Sequence, residues 1–354
     1  MKGIETIQTN TRDHRVSYIR AVATVMVVVI HIFQRLYHLY PNTPWFEKVS
    51  DWSNLGLVMF FVISAFLYSS RNIEKNRMIK WFTRRYLELI IPSLFTVMVA
   101  LVAFGIRWGV SGKHILYSIF SGLGFEAFVP DGWIFMQYWF LTYILFCYIT
   151  VPLIQKIDFR RMNTFMFWGL IGVFTILTQG ITSAVGTVTK LPLLSCGVLL
   201  RFYLPYSVFR RYDINSKECT RVMCVFTIIS LVLVVAACFL RYGVKLIGVW
   251  GAFQELFFIY TQTISGFVLF YWLYRAFSHL QVHTRLIRFI DSYSYPVYLT
   301  HCLFIGYSTS IIDRFDNRLL GIVIALMCTA AASFIVLHAT KPIKSLIIGK
   351  LIDA

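Results

Sequence analysis

Arg20 and His31 stand eleven residues apart in one long apolar run near the start of the chain. On a helix that spacing is about three turns, so both side chains fall on one face, about 16 Å apart along the axis. A guanidinium at the mouth of such a helix can grip phosphate through charge-assisted hydrogen bonds. An imidazole farther in has a pKa near neutrality and can serve as a general base. The pair suits a long anionic donor whose reactive end lies at its far tip. The plainer readings are an arginine that snorkels to the interface and a neutral histidine bonded to a neighbouring helix.

A second constellation reads Ser-Tyr-Ser-Tyr-Pro-Val-Tyr-Leu-Thr-His over 292–301. Tyr298 precedes His301 by three residues and shares its helix face. His301 is expected about two turns into a ninth span. Interfacial tyrosines and a structural histidine would produce the same pattern. Other polar groups in apolar surroundings are Ser64, Glu88, Glu255 and Gln262. Glu255 needs a partner or a proton, whereas Glu88 lies beside Arg84 and Arg85 and reads as half of a surface ion pair. The stretch Phe125–Leu141 mixes Glu126, Asp131, Trp133, Gln137, Tyr138 and Trp139. It fits a saccharide platform, and equally an aromatic belt with a solvated loop.

The elements that must hold these groups are membrane helices. The 354 residues are 58% hydrophobic and 14% charged, against about 25% charged in a soluble domain. Long apolar runs predict about ten spans, near 16–36, 52–70, 88–106, 138–155, 163–181, 191–209, 222–240, 250–273, 294–312 and 319–338. The gap at 107–137 is expected to hold an interfacial or re-entrant segment. The fold class expected is all-α, a single polytopic bundle over 1–354. The net charge of +17 reads as a topology signal, not a nucleic-acid footprint. On this span map 22 Lys and Arg fall on one side and 8 on the other, which predicts both termini in the cytoplasm. The seven cysteines, Cys302 among them, show no metal-ligand spacing. Most read as small hydrophobes, and no metal is expected.

Taken in order, these segments resemble the acyltransferase 3 family of membrane acyltransferases. Arg20 and His31 match its first-span Arg and His separated by ten residues. Gly56 followed by Phe60-Phe61-Val62-Ile63-Ser64-Ala65 is similar to its second-span pattern. Arg84-Arg85 running to Pro92 resembles its basic cluster, and Trp139-Phe140-Leu141 its Trp-Phe-Leu element. Ser294-Tyr295-Pro296-Val297-Tyr298-Leu299-Thr300-His301 resembles its late motif. Two positions depart from the pattern: Ala65 replaces a usual Gly, and Glu88 stands where a further Arg is common.

The resemblance implies an O-acyltransferase of the bacterial cytoplasmic membrane that moves an acyl group, usually acetyl, from cytoplasmic acetyl-CoA to a hydroxyl of an extracytoplasmic or lipid-linked saccharide. Arg20 and His31 would be the essential pair, with His31 either deprotonating the acceptor hydroxyl or carrying the acyl group transiently, and with His301 and Tyr298 orienting groups or lining the path. Arg20, Arg84 and Arg85 would hold the donor phosphates. Tyr298, Trp139, Glu255 and Asp131 are the candidates for contact with the saccharide. Some relatives carry an extra hydrolase-like domain after the bundle. This chain ends soon after its tenth span, so direct transfer or a separate polysaccharide-biosynthesis partner is expected. The rival readings are a transporter of a saccharide or lipid-linked intermediate and a non-catalytic component of a polysaccharide-export assembly.

Overall fold

A computed structural model describes residues 13–108, 110–129, 133–189, 196–244, 249–280, 285–306 and 309–350. Among them there are helices and no strand. The α-helices are α1 (His14–Leu39), α2 (Pro44–Ser53), α3 (Leu55–Ser69), α4 (Met78–Trp108), α5 (Gly112–Gly122), α6 (Trp139–Ile154), α7 (Thr164–Thr189), α8 (Cys196–Arg211), α9 (Lys217–Cys238), α10 (Val249–Ala276), α11 (Arg285–Ile305) and α12 (Arg318–Ile348).

Local chemistry starts several of these helices. Asp13, Ser111, Ser216 and Asn317 each accept a backbone N–H of the first turn of α1, α5, α9 and α12, satisfying donors that otherwise have no intrahelical partner. Pro44 opens α2 at a position where its missing N–H is harmless.

Among the described residues, six stretches are long and apolar enough to cross a membrane: His14–Leu39, Pro44–Ser69, Lys75–Ala103, Lys217–Gly243, Phe253–His279 and Arg318–Ile348. Trp139–Ile154 and Thr164–Ile176 are apolar but shorter. The structure thus supports a multi-helix membrane bundle, with six such stretches against the ten expected. The outward faces agree with lipid as solvent. On α9, Val225, Ile228, Leu231, Val232 and Val235 are exposed, a helical stripe that water would not tolerate.

The bundle centre is built on α1, α3 and α11. Helix α1 packs against α3 and α11, α11 also packs on α12, and α3 reaches α8 and α10. Gly56 sets the α1–α3 separation. A Cβ there would lie 2.6 Å from the Cβ of Met26 and 2.7 Å from the carbonyl oxygen of Ala23, so only glycine permits this approach. The 107–137 gap holds α5 and two short 3-10 turns, Glu126–Phe128 and Trp133–Tyr138, tucked against α4, α6 and α11.

One boundary differs from the expectation with consequences for chemistry. The ninth apolar run belongs to α11, which begins at Arg285 and ends at Ile305. Hydropathy missed its polar first turns, which carry Arg285, Arg288 and Asp291. His301 is therefore near the far end of its helix, not two turns inside the near end. That depth matches His31 on α1.

Candidate active site

Helices α1 and α11 carry the site between them. At its near end the Nη1 of Arg20 donates to Oδ1 of Asp291. The Ser17 hydroxyl donates to the other oxygen of Asp291 at 2.9 Å. The Asp291 side chain is 1% exposed and that of Arg20 is 22% exposed. Arg20 therefore does not wait as an isolated cation: a buried carboxylate already offsets it, while its outer part faces a cavity.

That cavity has a volume of about 270 Å³ and a mixed polar and aromatic lining that includes Arg20, Arg85, Ser64, Tyr148, Asp291 and Tyr298. Arg85 bonds Glu88 at 2.5 Å and lies over the Tyr68 ring. The two guanidiniums are matched by two carboxylates, Asp291 and Glu88. Any grip on phosphate must come from directed N–H groups more than from net charge. Arg84 also pairs with Glu88, at 3.3 Å, and its side chain is 53% exposed. It does not line the cavity.

Beyond Tyr298 the polar seam continues deeper. The His31 and His301 rings lie 4.9 Å apart, tilted by 46°. His31 also hydrogen-bonds Gln34. His301 is fully buried. Its Nδ1 is 2.9 Å from the carbonyl oxygen of Val297, which can only accept, so Nδ1 carries the proton and Nε2 the lone pair. The Sγ of Cys302 sits 3.2 Å from that Nε2. The ligand atoms of His31, His301 and Cys302 all lie within 4.8 Å of one another. Such a set of two imidazoles and a thiol has the donor types that suit zinc. The spacing of the cysteines along the chain offered no sign of this set, because its members come from two helices.

Tyrosines hold α11 in register. Tyr298 donates to the backbone carbonyl of Gln137, Tyr138 to that of Leu299 at 3.3 Å, and Tyr295 to that of Leu89 at 2.7 Å. The Gln137 side chain is buried, and neither its nitrogen nor its oxygen finds a hydrogen-bond partner among the described residues. Glu126, on the turn outside the spanning helices, is buried, and burial lifts its carboxyl to about 8.

The other candidates lie apart. Glu255 is a salt-bridge partner of Arg241, which also binds Asp51 at 3.0 Å. This network ties α2 to the α9 end and α10, and it satisfies the partner requirement that made Glu255 conspicuous. Trp139 packs edge-on against Tyr143 at 5.4 Å and does not line the cavity. Asp131 and the side chain of Trp133 lie outside the described residues. Sequence reasoning missed Asp291 and Cys302. The signal for Asp291 was a carboxylate three residues ahead of Ser294 in a chain with 16 acidic residues against 33 basic. For Cys302 it was only adjacency to His301.

A family model described as an acyltransferase domain, Acyl_transf_3, matches residues 13–338. The chain belongs to this acyltransferase family. Family and apolar helices together make it a multi-pass membrane protein. No curated protein and no solved structure matches it.

Proposed function

We propose that the protein transfers an acyl group, in the simplest case acetyl, from a cytoplasmic acyl-CoA to a hydroxyl of an extracytoplasmic or lipid-linked saccharide. The observation that carries this reading is the imidazole pair His31–His301, placed beyond the last α11 residue lining a polar cavity whose near end holds Arg20 and Arg85. The donor's phosphates bind at that end, with Arg84 contributing at the exposed rim. The thioester reaches inward past Tyr298 to the histidines. His31 takes the proton of the acceptor hydroxyl as the carbonyl carbon is attacked. In this reading the basic end of the bundle faces the cytoplasm, in keeping with the lysine and arginine asymmetry of the ten-span map, and the membrane is the bacterial inner membrane. A partner that delivers the saccharide fits this scheme.

The test uses membranes given radiolabelled acetyl-CoA and saccharide acceptor. Wild type moves label into saccharide. His31→Ala, matched for expression, is expected to lower transfer by on the order of 10²-fold or more, the usual contribution of a positioned base. Undiminished transfer in that variant overturns the assignment. Saccharide crossing the membrane without consumption of any acyl-CoA would favour a transporter.

A further inference from the structure

The cavity residues on α11 follow one helical stripe. Asp291, Ser294, Tyr295 and Tyr298 line it, and steps of three and four carry the same stripe on to His301 and Cys302. The thiol thus continues the stripe that lines the cavity, one turn beyond Tyr298, and is itself fully buried. Its environment differs from that of the other buried cysteines. Cys147 and Cys219 lie in the main core, Cys147 against the Tyr203 hydroxyl, and neither meets an imidazole among the described residues, whereas Sγ of Cys302 faces the lone pair of an imidazole whose other nitrogen is tied to Val297. A thiol set against an imidazole base is the activated-nucleophile arrangement.

We propose that Cys302 is a catalytic residue that carries the acyl group as a thioester between donor and acceptor. This deepens the acyl-transfer reading and rests on it. In the first half-reaction the Cys302 proton passes to Nε2 of His301, and the sulfur attacks the thioester carbonyl. A carbon–sulfur bond to Cys302 forms and the bond to the donor sulfur breaks. The departing donor thiolate takes the proton from Nε2 and leaves as a free thiol. One thioester replaces another, so little free energy is lost. In the second half-reaction His31 takes the acceptor hydroxyl's proton, the oxygen attacks the Cys302 thioester, and the carbon–oxygen bond forms as the carbon–sulfur bond breaks. The Cys302 thiolate regains a proton from His31, whose ligand atoms lie within 4.8 Å of the sulfur. Donor and acceptor then occupy the site at different times, and each can approach from its own side of the membrane.

The experiment takes the full chain in detergent or nanodiscs and adds radiolabelled acetyl-CoA, or succinyl-CoA in parallel, with no acceptor. After quenching, the chain is digested and the labelled peptide sequenced by mass spectrometry. The expected result is one acyl group on Cys302, released by neutral hydroxylamine, and protection of that thiol from maleimide in denaturant. Neither readout needs a variant. Cys302→Ala, checked for an unchanged size-exclusion profile, is expected to carry no label and to lose transfer. Label on His31 or His301, or saccharide transfer by Cys302→Ala at the wild-type rate, overturns the relay and leaves the acyl-transfer reading standing. A tightly bound metal that Cys302→Ala loses also overturns it, because the sulfur is then a ligand. Absence of transfer by wild type from either donor overturns the acyl-transfer reading itself.

Discussion

Arg20 and Arg201 both sit within helices where charge is costly, and the fold treats them differently. Arg20 on α1 meets Asp291, which is also held by Ser17. Arg201 on α8 is 2% exposed, and its Nε and Nη1 meet no hydrogen-bond partner among the described residues. The first is charge-balanced before any ligand arrives and helps clamp α1 to α11. In the second, two of the three guanidinium nitrogens stay without a partner among the described residues, which in a membrane marks a group kept for something other than stability. Arg20 lines a cavity of mixed polar and aromatic character, whereas Arg201 lines neither that cavity nor the apolar one of about 310 Å³ between α6, α7 and α8.

The sharpest way to break this comparison is to remove one partner of the first pair. Asp291→Leu strands Arg20 and is expected to cost about 3 kcal/mol or more, the usual penalty for an orphaned buried charge. Thermal unfolding in detergent reads it as a lowered midpoint. The double variant Arg20→Met with Asp291→Leu should recover most of that stability while transfer stays lost. Stability that fails to return would mean the pair does more than cancel charge.

For the second arginine the sign reverses. Arg201→Met replaces a buried, under-bonded charge with an apolar side chain of similar volume, and stability is expected to rise by about 1–3 kcal/mol. A fall instead would show that Arg201 has a compensating partner and that the contrast with Arg20 is false.

The smallest expected effect concerns the anchor that starts α1. Tyr274 donates to Asp13 at 2.8 Å and Arg15 bonds it at 2.9 Å. Burial opposes the ionised form of Asp13, but the hydrogen bonds from Arg15 and Tyr274 and the charge of Arg15 outweigh it, holding the carboxyl below its ordinary 3.8. A depressed carboxyl stabilises the fold above pH 3.8 and loses that contribution as pH falls through its folded value. Asp13→Asn is therefore expected to flatten the loss of thermal stability between neutral and strongly acidic pH. An unchanged slope would remove Asp13 from the account.

Much of the site was legible because helices repeat locally. Arg20 and His31 share a face by spacing, as do Tyr298 and His301, and those inferences need nothing beyond one helix. Glu255 and Trp139 show the limit of the same reasoning. Both were conspicuous by type and setting, yet Glu255 answers Arg241 and Trp139 rests on Tyr143. A polar residue in an apolar run announces that it has a partner without saying which. The bounds of the ninth span suffer likewise, because hydropathy marks apolar length and α11 opens with polar turns.

By itself the sequence determined the helical class, the membrane as solvent, and which side chains lie on a common face, since composition and periodicity are properties of short segments. Only the tertiary structure decided which faces meet. It set Arg20 against Asp291 across 271 residues, brought the His31 and His301 rings to 4.9 Å, and turned the Cys302 thiol towards an imidazole. Helix periodicity gives the direction of a side chain about its own axis but not the neighbour that stands there. That neighbour is chosen by packing among all the helices at once, as Gly56 shows in letting α3 close on α1.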